Sequence, residues 1–454
     1  MGAGKSTLGL QVAERLGRRF VDLDREIERE LRQTIPEIFA ERGEVEFRVR
    51  EQEAALEALE SGLPQVVALG GGAVTSPKIR KALHEHAMTV FVEVEPDAAW
   101  ERVRGRGRPL AQEESTFRAL YEERLPLYRE AADAVASTLD DVVLAAAGVH
   151  VAIGSLEQLA ELVPGEGAVA LVADAHVSGI HGMDAQLALG QRLASTHTAL
   201  GKGADDLEGL WRSLGLDRAG TVVALGGGTT TDLAGFAAAT YMRGVEWVAV
   251  PTTLVGQVDA AIGGKTAIDL PEAKNLVGAF HWPARTVIEP ALLATLQASE
   301  RVNGMAEVVK TGLLAGEALW EFADEELVRR CAAYKAALCL RDPHDLGPRH
   351  ALNLGHTFGH ALEAASGYEL PHGRAVALGL LAALRLSGRD TEQVERELAP
   401  KPVGVDPERA WQALLRDKKS TGGRINLVLL GERGPYVEPR DPVEVRRELE
   451  RLIA

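Results

Sequence analysis

Two cysteines in 454 residues are too few for a disulfide framework. Cys331 and Cys339 stand eight positions apart in a helical pattern, so they read as core residues of a protein kept in a reducing compartment. Positive charge is also short: 50 Lys and Arg against 66 Asp and Glu leave a net charge of −16. Both the first third and the remainder are acidic, and a phosphate backbone demands a basic surface, so a general nucleic-acid binder is excluded. No apolar run reaches about 18 residues and no charged-then-apolar leader opens the chain, which argues against membrane spanning and secretion. Internal repeats with a period of roughly 20–50 residues and low-complexity tracts are missing too. What remains is a cytoplasmic globular protein. Its 46% hydrophobic content is ample for buried cores, and its length suits about two or three domains.

Two patterns divide the chain. Residues 1–140 alternate helical periodicity with short β-branched runs, Val66-Val67-Ala68-Leu69 and Met88-Thr89-Val90-Phe91-Val92. Each is bounded by Gly or Pro and reads as a buried parallel strand. Residues 141–150 read as a linker. A second α/β pattern fills 151–295, with strands expected near 169–174, 221–225 and 247–251. Over 296–454 an Ala/Leu/Glu-rich helical periodicity takes over, interrupted by a hairpin-like piece at 425–430.

The chain opens Met1-Gly2-Ala3-Gly4-Lys5-Ser6-Thr7 ahead of an amphipathic helix pattern. A glycine-rich loop ending Gly-Lys-Ser/Thr is the core of a phosphate loop, in which backbone N–H groups cradle phosphates, the lysine reaches the β/γ oxygens and the hydroxyl meets Mg²⁺. The alternative is a glycine-rich terminus with no ligand. The full signature needs a further glycine and a strand upstream. A start about ten residues earlier is therefore expected, because the sheet otherwise lacks a central strand and leaves open edges. Asp22 and Asp24 read as two carboxylates on one face of a strand end, suited to Mg²⁺ water and a hydroxyl, or else as a helix cap. Arg48, the Gly70-Gly71-Gly72 loop, Arg108-Pro109-Leu110 and Arg124 add forked cations and close backbone approach.

In this order, with Ile35-Pro36-Glu37-Ile38-Phe39 between them, these motifs resemble shikimate kinase over nearly all of residues 1–140. The resemblance implies that Gly2, Gly4, Lys5, Ser6 and Thr7 serve ATP and Mg²⁺, with Ser6 on the metal. It implies that Asp24, Arg48, Gly71 and Arg124 hold shikimate and that Arg108 closes over the nucleotide.

The second segment carries a denser set. Gly226-Gly227-Gly228 follows a strand and enters a helix pattern, where a pyrophosphate could approach the helix N-terminus, or where the chain simply turns. Thr252 and Thr253 add hydroxyls at another strand end, and Asp174 ends a strand where a ribose could bind. Asp259 through Lys265, then Lys274-Asn275, lie in a Gly-rich stretch that could grip an anion or be a solvated loop. His356, His360 and His372, with Glu307 and Lys310 upstream, form a candidate divalent-metal site; the alternative is a polar helix face or a satisfied core. On one continuous helix Arg349, Asn353, His356 and His360 would share a face with apolar neighbours Leu352, Leu354 and Phe358, as expected of a polar cluster lining a pocket.

The stretches 232–244, 251–259, 263–267, 274–280, 306–310 and 352–361 (the last Leu-Asn-Leu-Gly-His-Thr-Phe-Gly-His-Ala) resemble 3-dehydroquinate synthase, and the likeness runs from about residue 150 to 454. It implies zinc or cobalt on Glu307, His356 and His372, with His360 turned to substrate phosphate and proton transfer. Asp259, Lys265 and Lys310 would meet substrate hydroxyls; Lys335, Arg349 and Asn353 the carboxylate; Asn275 and one of Lys418 and Lys419 the phosphate, with Lys274 a further substrate contact. Arg243 would reach a partner subunit's site, implying a homodimer. NAD would lie on Asp174, Gly227, Gly228, Asp232, Thr252 and Thr253, with Lys202 at the adenosine end. The family usually carries Gly-Glu where this chain has Thr198-Ala199, which puts a ribose or adenine contact at stake but not the chemistry.

The expected fold is therefore α/β: a P-loop kinase-like parallel sheet, a Rossmann-like NAD domain, then a mostly helical metal-binding domain. The function expected is bifunctional, within aromatic amino acid biosynthesis: heptulosonate phosphate to 3-dehydroquinate, and ATP-dependent phosphorylation of shikimate. The rival readings are a synthase whose first module is inactive, and a metal-dependent polyol dehydrogenase that would release NADH.

Overall fold

The computed structural model describes residues 2–105, 113–271, 273–417 and 424–454. Arg108, Lys418 and Lys419, named above, lie outside them. The chain forms two compact units, Met1–Ala147 and Gly148–Ala454. Among the described residues no helix is long and apolar enough to cross a membrane.

Among its described residues the first unit holds four short strands: β1 (Arg19–Asp22), β2 (Gln65–Ala68), β3 (Val90–Val92) and β4 (Ala134–Ala136). β1 pairs with β2 and β3 with β4, both parallel, so among the described residues there are two separate two-stranded sheets. Between them lies a cavity of about 420 Å³ lined by Val66, Val67, Ala68 and Leu69 on one side and Val90, Phe91 and Val92 on the other. Alternate residues of a strand point to opposite faces. Consecutive residues from both strands therefore place the cavity along two open edges and not over a face. Leu8, Val12 and Leu16 of the helix Lys5–Leu16 also line it.

Two expectations change here. Residues 22 and 24 do not share a strand face: the helix Leu23–Leu31 starts directly after β1, and Asp22 caps it by accepting from the Arg25 N–H at 3.4 Å. The strand gives way because Asp22 offers a side-chain acceptor to the first orphan N–H groups of a helix. Residues 141–150 are not a linker. Thr138 caps the helix Leu139–Ala146, which buries Val143 and Leu144, and the next strand starts at once.

In the second unit β5 (Val149–Val151), β6 (Val169–Asp174), β7 (Leu193–Ala199), β8 (Thr221–Gly226) and β9 (Glu246–Pro251) come first. They are followed by β10 (Lys265–Leu270), β11 (Ala273–Phe280) and β12 (Arg285–Ile288). Six of these strands form one parallel sheet in the order β5-β12-β9-β8-β6-β7. The central strands are buried on both faces, as parallel sheets require. Ala170, Val172, Val222 and Ala224 face one core, while Leu171, Val223, Leu225 and Val248 face the other. The Gly-rich stretch after residue 263, read as a possible loop, is an antiparallel hairpin of β10 and β11.

From 298 onward helices dominate, and a second hairpin, β13 (Ile425–Gly431) with β14 (Gly434–Arg440), stands where 425–430 suggested one. Helices Ala298–Ala315, His356–Ala365 and His372–Leu386 share one apolar core that includes Val309, Phe358 and Val376. Helix Asp324–Arg341 buries the two free cysteines and ends at Asp342. The Asp342 carboxylate accepts from the N–H groups of Leu346 (2.9 Å), Gly347 (2.7 Å) and Arg349 (3.2 Å), fixing the turn that carries Arg349. Burial pushes this carboxyl up, but those three N–H groups outweigh it and hold it below its ordinary value.

Two outcomes are expected. An extended apolar segment fused to the amino terminus, able to pair with the edges of β2 and β3, should raise the melting temperature of the first unit by several degrees, on the scale of ~4 °C per kcal/mol gained. Calorimetry on extended and unextended chains reads this, and identical melting would show that the cavity does not accept a strand. Asp342→Asn should cost about 1–3 kcal/mol of stability at neutral pH. Since the folded carboxyl titrates below its unfolded value, the difference from the parent is full above the ordinary carboxylate range. It should shrink as pH falls through the lowered value. Urea titrations at several pH values measure it, and a pH-independent difference would contradict the assignment.

Candidate functional site

Three side chains from three helices meet in the second unit. Glu307 is wholly buried on helix Ala298–Ala315, His356 starts helix His356–Ala365, and His372 starts helix His372–Leu386. Their donor atoms all lie within 4.8 Å of one another. Glu307 Oε1 is 3.4 Å from His356 Nε2 and 3.1 Å from His372 Nε2. Lys310, one turn on and itself buried, forms an ion pair with Glu307 Oε2. The other ring nitrogens are held from behind: His356 Nδ1 lies 3.3 Å from Leu354 O, and His372 Nδ1 lies 3.1 Å from Glu363 Oε1.

Two imidazoles and a carboxylate are a donor set that suits zinc and leaves room for a further ligand. Burial pushes the Glu307 carboxyl up, but Lys310, His356 and His372 reverse this and hold it well below the usual range. Burial, with Lys310 close by, pushes His356 down, which favours the neutral ring a metal needs. For His372, burial acts downward, but Glu307 and Glu363 outweigh it and push it up to about 10. His360 is exposed and stands outside the donor group, with its ring centroid 5.3 Å from that of His356.

The one-helix phasing of Arg349, Asn353, His356 and His360 does not hold. A 3-10 turn covers Pro348–Asn353, and Gly355 at φ +80° breaks the chain before the next helix begins. A Cβ at Gly355 would also lie 2.8 Å from Leu380 N, so the break depends on glycine. Arg349 is buried on the far side of that break and donates to Gly263 O at 3.0 Å.

A cleft of about 1390 Å³ runs from this centre to the C-terminal ends of the parallel strands. Gly227, Gly228, Thr252 and Thr253 line it at the strand ends, together with Asp174 and Asp232. Gly227 caps the helix Gly228–Thr240, so free N–H groups face the cleft. Asp174 caps its own helix by accepting from Val177 N at 2.9 Å. Lys202 donates to Asp232 (2.8 Å) and Asn275 (2.5 Å), and Lys274 sits 4.6 Å from the centre of the Tyr368 ring. Asp259, Lys274, Asn275, His360 and His372 line the same cleft.

Other expected residues are held in ion pairs. Lys335 pairs with Asp259 and also donates to its backbone carbonyl at 2.5 Å. Burial pushes the Asp259 carboxyl up, but Lys335 and Lys310 outweigh it and hold it low. Lys265 pairs with Asp345. Asn353 ends the 3-10 turn, and Arg243 is exposed and does not line the cleft. Sequence reasoning missed Glu363, Asp345 and Tyr368. For Glu363 the signal was available, seven positions after His356 and hence on the same helix face.

In the first unit a smaller cluster forms. Arg48 donates to the buried Glu51 at 2.5 Å, and a Cβ at Gly72 would run into the Arg48 guanidinium. Burial pushes the Glu51 carboxyl up against the pull of Arg48, with Asp24 adding to the rise and Arg124 opposing it. Arg124 donates to Gly71 O at 3.3 Å, Tyr128 to the same oxygen at 2.6 Å. The buried Arg124 Nε has no hydrogen-bond partner among the described residues. Asp24, Arg48, Gly71 and Arg124 thus converge, with Glu51 as a member that sequence reasoning did not name. Lys5 opens its helix behind Gly4, which holds φ +79°, with Ser6 and Thr7 exposed beside it.

Known proteins match both units. The shikimate kinase family model matches residues 1–149; the N-terminal and C-terminal models of 3-dehydroquinate synthase match 201–303 and 304–420. A bifunctional shikimate kinase/3-dehydroquinate synthase of Thermotoga maritima is 34% identical over 98% of this chain and 98% of its own. The 3-dehydroquinate synthase of Bordetella pertussis is 37% identical over 67% of this chain and 95% of its own. Among solved structures, 2-epi-5-epi-valiolone synthase from Streptomyces hygroscopicus subsp. jinggangensis, with NAD⁺ and Zn²⁺ bound, is 26% identical with a TM-score of 0.58. It covers 67% of this chain and 96% of its own. With a match that spans both units end to end, the chain belongs to the bifunctional shikimate kinase/3-dehydroquinate synthase family, an enzyme with both domains fused in one polypeptide.

Proposed function

We propose that the cleft of the second unit converts 3-deoxy-D-arabino-heptulosonate 7-phosphate to 3-dehydroquinate and phosphate, a carbon–oxygen lyase reaction. The observation that carries this is the meeting of Glu307, His356 and His372 at one end of a cleft whose other end is a glycine turn at strand ends. We assign residues 151–295 to nucleotide binding and 296–454 to metal and substrate. A divalent cation, zinc or cobalt, held by Glu307, His356 and His372 would acidify the substrate hydroxyl that is oxidised. NAD, held by Asp174, Gly227, Gly228, Asp232, Thr252, Thr253 and Lys202, would take up a hydride and return it, so it is not consumed.

The chain's own residues do the rest. Lys310 and Asp259, each held charged by a buried partner, orient the hydroxyls with Lys265. Lys335, Arg349 and Asn353 face the carboxylate end. Lys274, Asn275 and His360 neutralise and protonate the departing phosphate. Arg243, exposed outside its own cleft, suits a role in a neighbouring subunit of a homodimer. The two buried free cysteines fit a cytoplasmic setting.

In the first unit, Asp24, Arg48, Gly71 and Arg124 are the shikimate site, a reading supported by the unpartnered Arg124 Nε among buried groups. Gly2, Gly4, Lys5, Ser6 and Thr7 would serve ATP with Mg²⁺, making this unit the phosphotransferase.

Phosphate release from the heptulosonate phosphate is the direct test of the synthase site. Glu307→Gln should lower it by roughly 100-fold or more, at least the loss typical of disturbing a metal ligand's support, with no net NADH formed by the parent. Full activity in the variant removes the metal assignment; stoichiometric NADH from a simple polyol would favour a dehydrogenase. For the kinase, the chain should transfer phosphate from ATP to shikimate, and no transfer would favour a synthase with an inactive first unit.

A further inference from the structure

Glu363 is a carboxylate that the reaction as described does not use. It is only 9% exposed, on the helix that begins with His356. Burying a carboxylate is costly unless it is paired. Its side chain hydrogen-bonds to His372 Nδ1, at 3.1 Å. The opposite ring nitrogen, Nε2, faces Glu307 Oε1 at 3.1 Å. His356 repeats the arrangement with a different anchor: Leu354 O lies behind Nδ1 at 3.3 Å, and Nε2 faces Glu307. Both rings thus present the same nitrogen to the same point, and each has an acceptor behind it.

We propose that Glu363 is a positioning residue for the metal centre: by accepting the His372 Nδ1–H it fixes the ring's tautomer and leaves Nε2 as the ligand nitrogen. This rests on the metal site proposed above. The acceptor matters more for His372 than for His356. His372 is the first residue of its helix and is half-buried, so its ring is less confined by packing. Acceptors behind ligating imidazoles orient the ring and raise its basicity, and their loss commonly weakens metal binding by about 10–100-fold. One helix therefore delivers both a ligand, His356, and the group that aims the ligand of another helix.

The test is Zn²⁺ affinity of the full chain, stripped of metal and titrated against a chromophoric chelator, with circular dichroism as the check on folding. Glu363→Leu should weaken Zn²⁺ by about 10–100-fold, whereas Glu363→Gln, whose amide oxygen still accepts from Nδ1–H, should retain most of the affinity. In a His372→Ala background Glu363→Leu should add little, because the ring it aims is gone. Parent-like affinity in Glu363→Leu, or equal losses in the Leu and Gln variants, overturns the proposal. If Glu363→Leu does not fold, the ¹⁵N spectrum of His372 in the Zn²⁺-loaded parent decides. A protonated Nδ1 with metal on Nε2 supports the assignment, and metal on Nδ1 ends it. Glu307→Gln with undiminished Zn²⁺ affinity would instead bring down the metal reading itself.

Discussion

The Glu307 carboxylate has no exposure to solvent, and the helical half of the second unit is arranged around that fact. An isolated buried carboxylate would neutralise or drag water in; it stays charged only if cations and hydrogen bonds surround it. Lys310 is supplied by the same helix one turn later, His356 and His372 by the first positions of two others. The requirement ties the middle of one helix and the first residues of two others to one point, while the apolar core behind them, with Val309, Phe358 and Val376, sets their spacing. Breaking one partner of such a cluster is costly because a charge is stranded, so the cluster acts less as glue than as a specification of geometry.

The nucleotide end is held by a different constraint. Its parallel strands are covered on both faces, and their side chains divide between two cores by strict alternation. That rigidity places Gly227, Thr252 and Asp174 at strand ends with no side chain of their own needed to shape the cleft. In the first unit the four strands among the described residues form two pairs whose edges face an apolar cavity, and β3 is only half-buried along its length. Its arginine cluster is nonetheless assembled, because helix Ile35–Glu60 and helix Glu114–Ala131 carry Arg48 and Arg124 to the Gly70–Gly72 loop without relying on the open edges.

Much of this was readable along the chain. β6, β8 and β9 are short, valine-rich apolar runs ended by Asp, Gly and Pro, and nothing in such a run competes with a buried strand. The glycine turns ahead of the helices Lys5–Leu16 and Gly228–Thr240 were legible because glycine punctuates a chain just before a helix pattern begins. Errors came where two local signals compete. Asp22 carries a strand signal behind it and a helix cap ahead, and the cap won. The 349–360 stretch keeps helical spacing, but Gly355 adopts a left-handed conformation and resets the phase.

The three-histidine cluster shows the limit. Helical spacing alone would pair His356 with His360, since neighbours on one helix are the contacts that spacing can express; it was the family resemblance that implied Glu307, His356 and His372. The structure groups His356 with His372 and Glu307, and puts Glu363 behind His372. Lys265 with Asp345, and Lys335 with Asp259, are likewise far apart in sequence. Local backbone preference and side-chain chemistry are properties of neighbouring residues, so the sequence by itself determined the strands, the loops and the stock of metal-binding and cationic groups. Which donor atoms converge depends on how whole helices pack to bury their apolar faces, and only the tertiary structure decided that.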